Sequence, residues 1–377
     1  MARSGAPVFP LAPQAELERA ATSLRILLTA RSETAAGETA AQRSARIASA
    51  RTRVREATQT ASRLLLAPLS SGRSVQHYRR VIFVPDGALH QVPFASLVAP
   101  GSTTPLVDDY ELAVLPSASA LSALRREPGP ASDGAVAILA DPVFGPSDAR
   151  LGASRRTYAP ATRGGPAELD PLAGAAGVRT AAGVLPRLAY TRTEALSISK
   201  LVSSPSALVA MGFQARRDLL LAPEAARYRI IHLATHALVD SARPELSGLA
   251  FSMVDERGTP LDGFLPMQRL YNMRLSADLV VLSACQTATG KEVGGEGVMS
   301  LARGFMAAGV PRVLASLWKV DDQATAELMR VFYEAHLGPA KLAPAAALRH
   351  AQNWMRRQPR WADPYFWAAW ILHGDPS

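Results

Sequence analysis

One cysteine, Cys285, stands where an apolar run in the 377-residue sequence gives way to polar and glycine-rich residues. Residues 279–283 predict a buried strand within the apolar run that ends at Cys285, and residues 286–295 predict the loop that follows. A second apolar run, residues 229–235, ends at His236 in the same way. If the two strands are parallel neighbours, His236 and Cys285 meet at one edge of the sheet, where ligands of α/β proteins bind.

A thiol beside an imidazole predicts nucleophilic chemistry. The pKa of a free cysteine is about 8.5, so the thiol is mostly protonated at neutral pH and becomes a strong nucleophile when an imidazole accepts its proton. A Cys/His dyad implies acyl transfer, most often peptide hydrolysis. The alternative is that Cys285 is an inert core residue, because free cysteine is among the most frequently buried residue types.

His232 lies four residues before His236, on the same face of a strand but deeper in the apolar run. It fits a buried, hydrogen-bonded histidine. The His-x-x-x-His spacing brings two metal ligands together on a helix, whereas this segment predicts a strand. A single cysteine also excludes an intrachain disulfide, a cysteine zinc site and an iron–sulfur cluster. We therefore expect neither a metal nor a cofactor.

The sequence predicts three sections around these residues. Residues 1–78 predict a basic helical hairpin, with apolar residues at helical spacing in 15–28 and 40–66. From residue 79 onward, short β-branched runs alternate with longer helical patterns, which is typical of a mostly parallel sheet. We expect one α/β half over residues 79–190 and a second over 191–377.

An aperiodic stretch rich in Pro, Gly, Ala and Arg covers residues 144–185. A loop of this length in a compact domain is usually functional or disordered. We predict that it gates the site or is cleaved at Arg155, Arg156 or Arg163, with a passive surface insertion as the alternative.

Composition narrows the class of protein. With 48% hydrophobic and 19% charged residues, the chain is a folded protein rather than a disordered or fibrous one. No charge-free stretch suits a bilayer, and the N-terminus lacks the apolar core of a secretory signal, so we expect a cytoplasmic protein without membrane contact. Of the net charge of +9, residues 1–80 carry nearly all, with 13 Arg against 5 Glu. No aromatic residues alternate with these arginines to stack on bases, so we expect no nucleic-acid partner.

Several short blocks occur in a fixed order along the chain. They are IFVPDG at 82–87, LHQVPF at 89–94, LPSAS at 115–119, IIHLATH at 230–236, VVLSACQT at 280–287, GEGV at 295–298, LASLWKVDD at 314–322 and WILHG at 370–374. Over roughly residues 56–375 the sequence resembles CHAT-domain proteins, the caspase-like, separase-related cysteine peptidases common in bacteria.

This resemblance implies an α/β fold, a caspase-like three-layer sandwich in which a pseudo-protease half supports a catalytic half. It implies that His236 is the general acid/base and Cys285 the nucleophile, and that the backbone N–H groups of Ala237 and Cys285 hold the oxyanion. The family typically has glycine after the histidine. If that position needs a positive φ, Ala237 is strained there.

The implied function is a cysteine endopeptidase that cleaves a protein substrate, in bacterial defence or regulated cell death, with a regulatory protein as a further partner. The alternative is a catalytically silent CHAT-fold scaffold or protein-interaction module. Retention of both His236 and Cys285 favours the enzyme.

Trp318, Asp321 and Asp322 follow another predicted core strand, where the loop of a caspase-like fold helps to form the specificity pocket. We predict that they bind substrate. Two carboxylates attract a cation, which predicts Arg or Lys immediately before the scissile bond. Asp322 precedes a helical pattern and is expected to be its N-cap, so Asp321 is the better pocket candidate.

Overall fold

The computed structural model describes residues 9–33, 37–67, 78–126, 135–151, 185–202, 207–239, 247–283, 285–288 and 296–377. The helices within these ranges are α1 Gln14–Thr29, α2 Ala40–Leu66, α3 Leu106–Asp109, α4 Ala118–Arg126, α5 Tyr190–Ser199, α6 Asp218–Leu221, α7 Met267–Tyr271, α8 Glu296–Ala307, α9 Asp322–Leu337, α10 Pro344–Arg357 and α11 Pro364–Trp367. Short 3-10 turns cover Gly87–Gln91, Phe94–Ser96, Ala149–Leu151, Gly212–Gln214 and Pro223–Arg227. No helix of the described chain is long and apolar enough to cross a membrane.

The strands form two sheets. They are β1 Arg80–Phe83, β2 Glu111–Val114, β3 Ala135–Ala140, β4 Leu208–Met211, β5 Tyr228–Ala234, β6 His236–Val239, β7 Gly248–Ala250, β8 Phe264–Pro266, β9 Leu279–Leu282, β10 Cys285–Ala288, β11 Arg312–Ser316 and β12 Trp370–Gly374. The larger sheet has eight strands in the order β1-β2-β12-β11-β9-β5-β3-β4. Its only antiparallel pairing, among the described strands, joins β11 to β12. The predicted mostly parallel sheet is confirmed.

Helices α1 and α2 are the predicted N-terminal helical pair. Leu17, Ala21, Leu24 and Leu28 of α1 are buried at helical spacing, which gives the helix one apolar face toward the core. Helix α2 begins at a capping box: the Thr39 side chain accepts the Gln42 N–H, and the Gln42 side chain accepts the Thr39 N–H. Both contacts satisfy amides that the first turn leaves without helical partners.

Apolar layers cover both faces of the larger sheet. In β5, Ile230 and Ala234 join the apolar cluster that contains buried residues of α5, α9 and α10. Ile231 and Leu233 alternate with them and join a second cluster with α7 and α8. Strands buried between two helix layers are apolar on both faces, which explains their continuous hydrophobic runs. The three-layer caspase-like sandwich is therefore present.

The smaller sheet has the order β10-β6-β7-β8. Strand β6 follows β5 after Thr235, and β10 begins shortly after β9 ends. The parallel neighbours β5 and β9 thus lead into the parallel neighbours β6 and β10. The sequence predicted a loop after Cys285, and that prediction was wrong over residues 286–288.

The predicted division of the chain at residue 190 stays a prediction. Strands from both expected halves share the larger sheet, with β3 lying between β4 and β5. Most of the expected 144–185 loop, including Arg155, Arg156 and Arg163, lies outside the described residues.

Candidate active site

The smaller sheet brings Cys285 and His236 together along the backbone. Strand β10 begins at Cys285 and pairs in parallel with β6, which begins at His236, and the register sets the two residues opposite each other. Paired positions on neighbouring strands lie about 4.8 Å apart. Both residues begin strands of the second sheet, whereas the sequence predicted that they end strands of the first.

The imidazole of His236 lies between a backbone carbonyl and an aromatic ring. Its Nε2 is 2.7 Å from the carbonyl oxygen of Pro186, and its ring centroid is 5.0 Å from that of Phe144. Phe144 belongs to a small apolar cluster, whose other members are Leu185, Leu238, Ala250, Met253 and Phe264. His236 is 1% exposed, so the site as it stands covers its candidate base.

The Pro186 contact selects one tautomer of His236. A carbonyl oxygen can only accept a hydrogen bond, so Nε2 carries the hydrogen and Nδ1 carries the lone pair of the neutral ring. Burial lowers the pKa of His236 to about 4, the Pro186 carbonyl acts in the opposite direction, and Lys319 lowers it further. The ring is therefore neutral at pH 7, and Nδ1 is the atom that can take a proton.

Ala237 adopts an ordinary strand conformation. It pairs with Gln286 on one side and Leu249 on the other, and it is not among the described non-glycine residues with positive φ. Alanine is thus unstrained where the family typically has glycine. The assignment of the oxyanion to the Ala237 and Cys285 amides stays a prediction.

Trp318, one of the three predicted substrate-binding residues, is buried. Trp318 is 2% exposed, and its indole N–H donates to the Tyr365 carbonyl at 3.0 Å. This places Trp318 in the core. The substrate-binding role of all three residues stays a prediction.

The expectation that Asp322 is the N-cap was wrong. Asp321 is the N-cap of α9, with ψ of 131°, and its Oδ1 accepts the Ala324 N–H at 3.0 Å. Asp322 is the first helical residue, and its Oδ2 accepts the Tyr190 N–H at 3.0 Å. Burial raises the pKa of Asp322. The chain turns into the helix one residue earlier than expected, which exchanges the two structural roles.

His232 lies in a buried polar cluster. Its Nδ1 is 3.1 Å from the Tyr333 hydroxyl, and its Nε2 is 3.0 Å from Oε1 of Glu194. The Glu194 contact has the distance but not the alignment of a hydrogen bond. Within the described chain, no three His, Cys, Asp or Glu side chains are grouped as metal ligands.

Sequence reasoning missed Pro186, Asp141 and Arg187. Pro186 supplies the carbonyl beside His236, and Arg187 forms two hydrogen bonds with Asp141. One signal was available: Asp141 directly follows an apolar strand, the same kind of position that drew attention to His236.

A three-layer α/β sandwich that sets a histidine beside a cysteine indicates a caspase-like protein. The chain belongs to the CHAT domain family, whose model matches residues 55–375. This family is related to caspase-like peptidases.

The chain is also similar to two curated proteins that carry one name. It is 28% identical over 355 residues to Tetratricopeptide repeat protein 28 of Homo sapiens, covering 82% of this chain and 13% of the human protein. It is 36% identical over 105 residues to Tetratricopeptide repeat protein 28 of Mus musculus, covering 28% of this chain and 4% of the mouse protein. The chain thus corresponds to a small part of either relative.

Proposed function

We propose that the chain is a cysteine endopeptidase in which Cys285 is the nucleophile and His236 the general acid/base. The observation that supports this most directly is the strand register that pairs Cys285 with His236. Membership of a family related to caspase-like peptidases agrees with it.

In the proposed reaction, Nδ1 of His236 takes the thiol proton while the sulfur attacks the scissile carbonyl carbon. The imidazolium returns that proton to the leaving amine, and water then hydrolyses the thioester with the histidine as base. Throughout, Nε2–H remains directed at the Pro186 carbonyl. The amides of Ala237 and Cys285 are the proposed donors to the oxyanion.

We further propose a substrate with Arg or Lys before the scissile bond, bound near Asp321 and Asp322. Lys319 affects the pKa of His236, which supports a position of the 318–322 loop beside the site. Asp321 is exposed, so its carboxylate can meet a substrate cation while it caps α9.

The test is cleavage of a peptide library and of a proteome by the wild-type protein, with cleavage sites read by mass spectrometry. Cys285→Ala should abolish cleavage, and His236→Gln should lower its rate strongly. Ser283→Ala is the matched control, because it removes a small buried hydroxyl two residues before Cys285 that has no hydrogen-bond partner within the described chain. Cleavage by Cys285→Ala at the wild-type rate would overturn the proposal.

The second candidate function is a binding module that does not cleave. One observation favours it: His236 is 1% exposed, so a substrate reaches it only after the covering residues move. A regulatory protein partner that opens the site would reconcile the enzyme with this burial. The scaffold would be supported by a partner protein that binds the wild type and Cys285→Ala equally and is cleaved by neither.

A further inference from the structure

Asp141 is a fully buried carboxylate directly after β3, with a left-handed φ of 51°. Three arginines direct their guanidinium groups at it: Arg150, Arg187 and Arg192. A buried carboxylate needs charged partners to remain ionised, and a left-handed conformation at a residue other than glycine persists only where its surroundings enforce it. The position is therefore built around this side chain.

The three arginines contact Asp141 differently. Arg187 makes a bidentate pair, with Nε and Nη2 each 2.8 Å from one carboxylate oxygen. Arg150 places Nη1 3.0 Å from Oδ1 of Asp141 but makes no bidentate pair with it, and it also donates to Asp148 and to the backbone carbonyls of Asp141 and Pro142. The closest contact of Arg192 is 3.8 Å. A bidentate pair fixes orientation as well as distance, so Arg187 is the partner that determines geometry.

Arg187 directly follows Pro186, whose carbonyl oxygen lies 2.7 Å from Nε2 of His236. A second contact joins the same segment to Asp141: the Asp141 N–H donates to Thr191 Oγ1 at 3.1 Å, and Thr191 Oγ1 donates to the Leu188 carbonyl at 2.7 Å. Residues 186–191 are thus attached to the end of β3 by a side-chain pair and by a backbone contact.

The geometry points to Arg187 and Asp141 as positioning residues for His236, which hold the Pro186 carbonyl in place and so determine the tautomer and orientation of the imidazole. The catalytic meaning of this assignment rests on the proposed peptidase function. No side-chain substitution can remove the Pro186 carbonyl. Its role is therefore tested by substituting the ion pair of Arg187 and Asp141, because Arg187 directly follows Pro186.

A purely structural pair would stabilise the fold without affecting the histidine. Nitrogen NMR of the protein labelled with ¹⁵N-histidine distinguishes the two roles, because it reports the tautomer and the titration of each ring. The His236 signal is assigned by its loss in His236→Gln. Lys319 is the charged side chain that lowers the pKa of this ring in addition to burial, and it is left unchanged.

We expect the Nε2–H tautomer of His236 to dominate in wild type at pH 7. In Arg187→Ala the two tautomers should mix. The titration midpoint should rise toward the ordinary histidine value of about 6.5, because a released segment admits water and burial lowers this pKa more strongly than the Pro186 carbonyl raises it. Arg187→Lys keeps the charge but not the paired donors. Its His236 tautomer ratio and titration midpoint should therefore lie between those of the wild type and Arg187→Ala. Asp141→Asn should resemble Arg187→Ala.

The matched control is Arg229→Ala. Arg229 pairs with Asp278 at 2.6 Å, near the start of β5 and away from His236, so its loss should leave the His236 signals unchanged. For peptide cleavage, Arg187→Ala should lower kcat by about 10- to 100-fold, with a much smaller change in KM, because the base is misplaced while the substrate contacts remain.

Wild-type tautomer and titration in both Arg187 variants would overturn the positioning role, and if Arg187→Ala does not fold, Arg187→Lys decides. An equal response in Arg229→Ala would also overturn it, since any lost ion pair would then suffice. A wild-type protein that cleaves no peptide, yet shows the expected NMR response, would retain the positioning role and overturn the peptidase proposal.

Discussion

Two histidines four residues apart on consecutive strands have different surroundings. His232, in β5 of the larger sheet, lies between the Glu194 carboxylate and the Tyr333 hydroxyl, and it is fully buried. His236, at the start of β6 in the smaller sheet, meets the Pro186 carbonyl and is paired in register with Cys285. Side chains from α5 and α9 hold the first ring within the core, whereas a backbone group holds the second beside a candidate nucleophile.

The difference follows from where the chain leaves the larger sheet. In β5, alternate residues face two apolar layers, so a polar side chain there requires buried partners. At Thr235 the chain passes into the smaller sheet, where the next residue, His236, pairs with the start of β10 at Cys285 and meets the Pro186 carbonyl. The two histidines therefore differ in their surroundings because they belong to different sheets.

The largest expected effect is on catalysis. In His236→Gln, kcat should fall by about 10²- to 10⁴-fold, because the general base is lost. In the folded fraction of His232→Gln, kcat should stay near the wild-type value. Peptide turnover, normalised to folded protein by circular dichroism, measures both. Equal losses in the two variants would contradict the division of roles.

Much of the fold could be predicted from the sequence because buried parallel strands have long apolar runs. Strand β5 begins at Tyr228, one residue before its predicted start at residue 229. The sequence block IIHLATH at 230–236 already indicated His236 as a candidate site residue. The smaller sheet could not be predicted, because its strands have three or four residues and β10 has the polar sequence CQTA. Such segments resemble loops until tertiary pairing orders them.

The supporting contacts of the site could not be predicted for a different reason. Pro186 is 50 residues from His236, and Arg187 is 46 residues from Asp141. One sequence shows which residues have suitable chemistry, but it carries no signal for pairs brought together only by the fold. Asp321 and Asp322 show the same limit at short range, since either could cap α9 until the backbone angles are known.

The next largest effect is on stability. His232→Leu should lower the free energy of unfolding by about 3–5 kcal/mol, because Glu194 is left buried without its partner. The double variant His232→Leu with Glu194→Leu should lose clearly less, since both polar groups are removed. Urea denaturation of the wild type, the double variant and the two single variants His232→Leu and Glu194→Leu gives the coupling energy. Additive losses would show that the two side chains do not interact.

A third histidine, His373 in β12, tests what partners contribute. It is buried, neither ring nitrogen has a hydrogen-bond partner within the described chain, and burial lowers its pKa to about 4. Because the pKa is about 6.5 in the unfolded chain, the stability contribution is complete above pH 6.5 and is lost as the pH falls toward 4. The loss is roughly 3 kcal/mol, at about 1.4 kcal/mol for each pKa unit.

The wild-type protein should lose stability between pH 6.5 and 4, the acid limb of its plot of stability against pH. This limb should be flatter in His373→Leu. His236 has the same depressed pKa, so part of the acid limb should remain in the variant and become smaller when His236→Gln is added. Burial also lowers the pKa of His336, so the double variant should keep the share of the acid limb that this histidine contributes. Thermal unfolding at half-unit pH steps measures this. An unchanged acid limb in the double variant would assign the pH dependence to other groups.

The smallest expected effect concerns the loop beside both histidines. Burial lowers the pKa of His236, and Lys319 lowers it further. Burial raises the pKa of Asp322, and Glu194, the partner of His232, raises it further. Asp321 caps α9, so Asp321→Ala should reduce stability by about 1 kcal/mol, whereas Asp321→Asn keeps an equally good cap and should change it little. The Asn variant therefore removes charge without removing the cap.

If the carboxylate binds a substrate cation, both variants should lose preference for Arg over Leu before the scissile bond, measured with matched fluorogenic peptides. An Arg preference that survives in Asp321→Asn and in Asp322→Asn alike would leave these two residues with structural roles only, and would place the specificity determinant on other elements around His236.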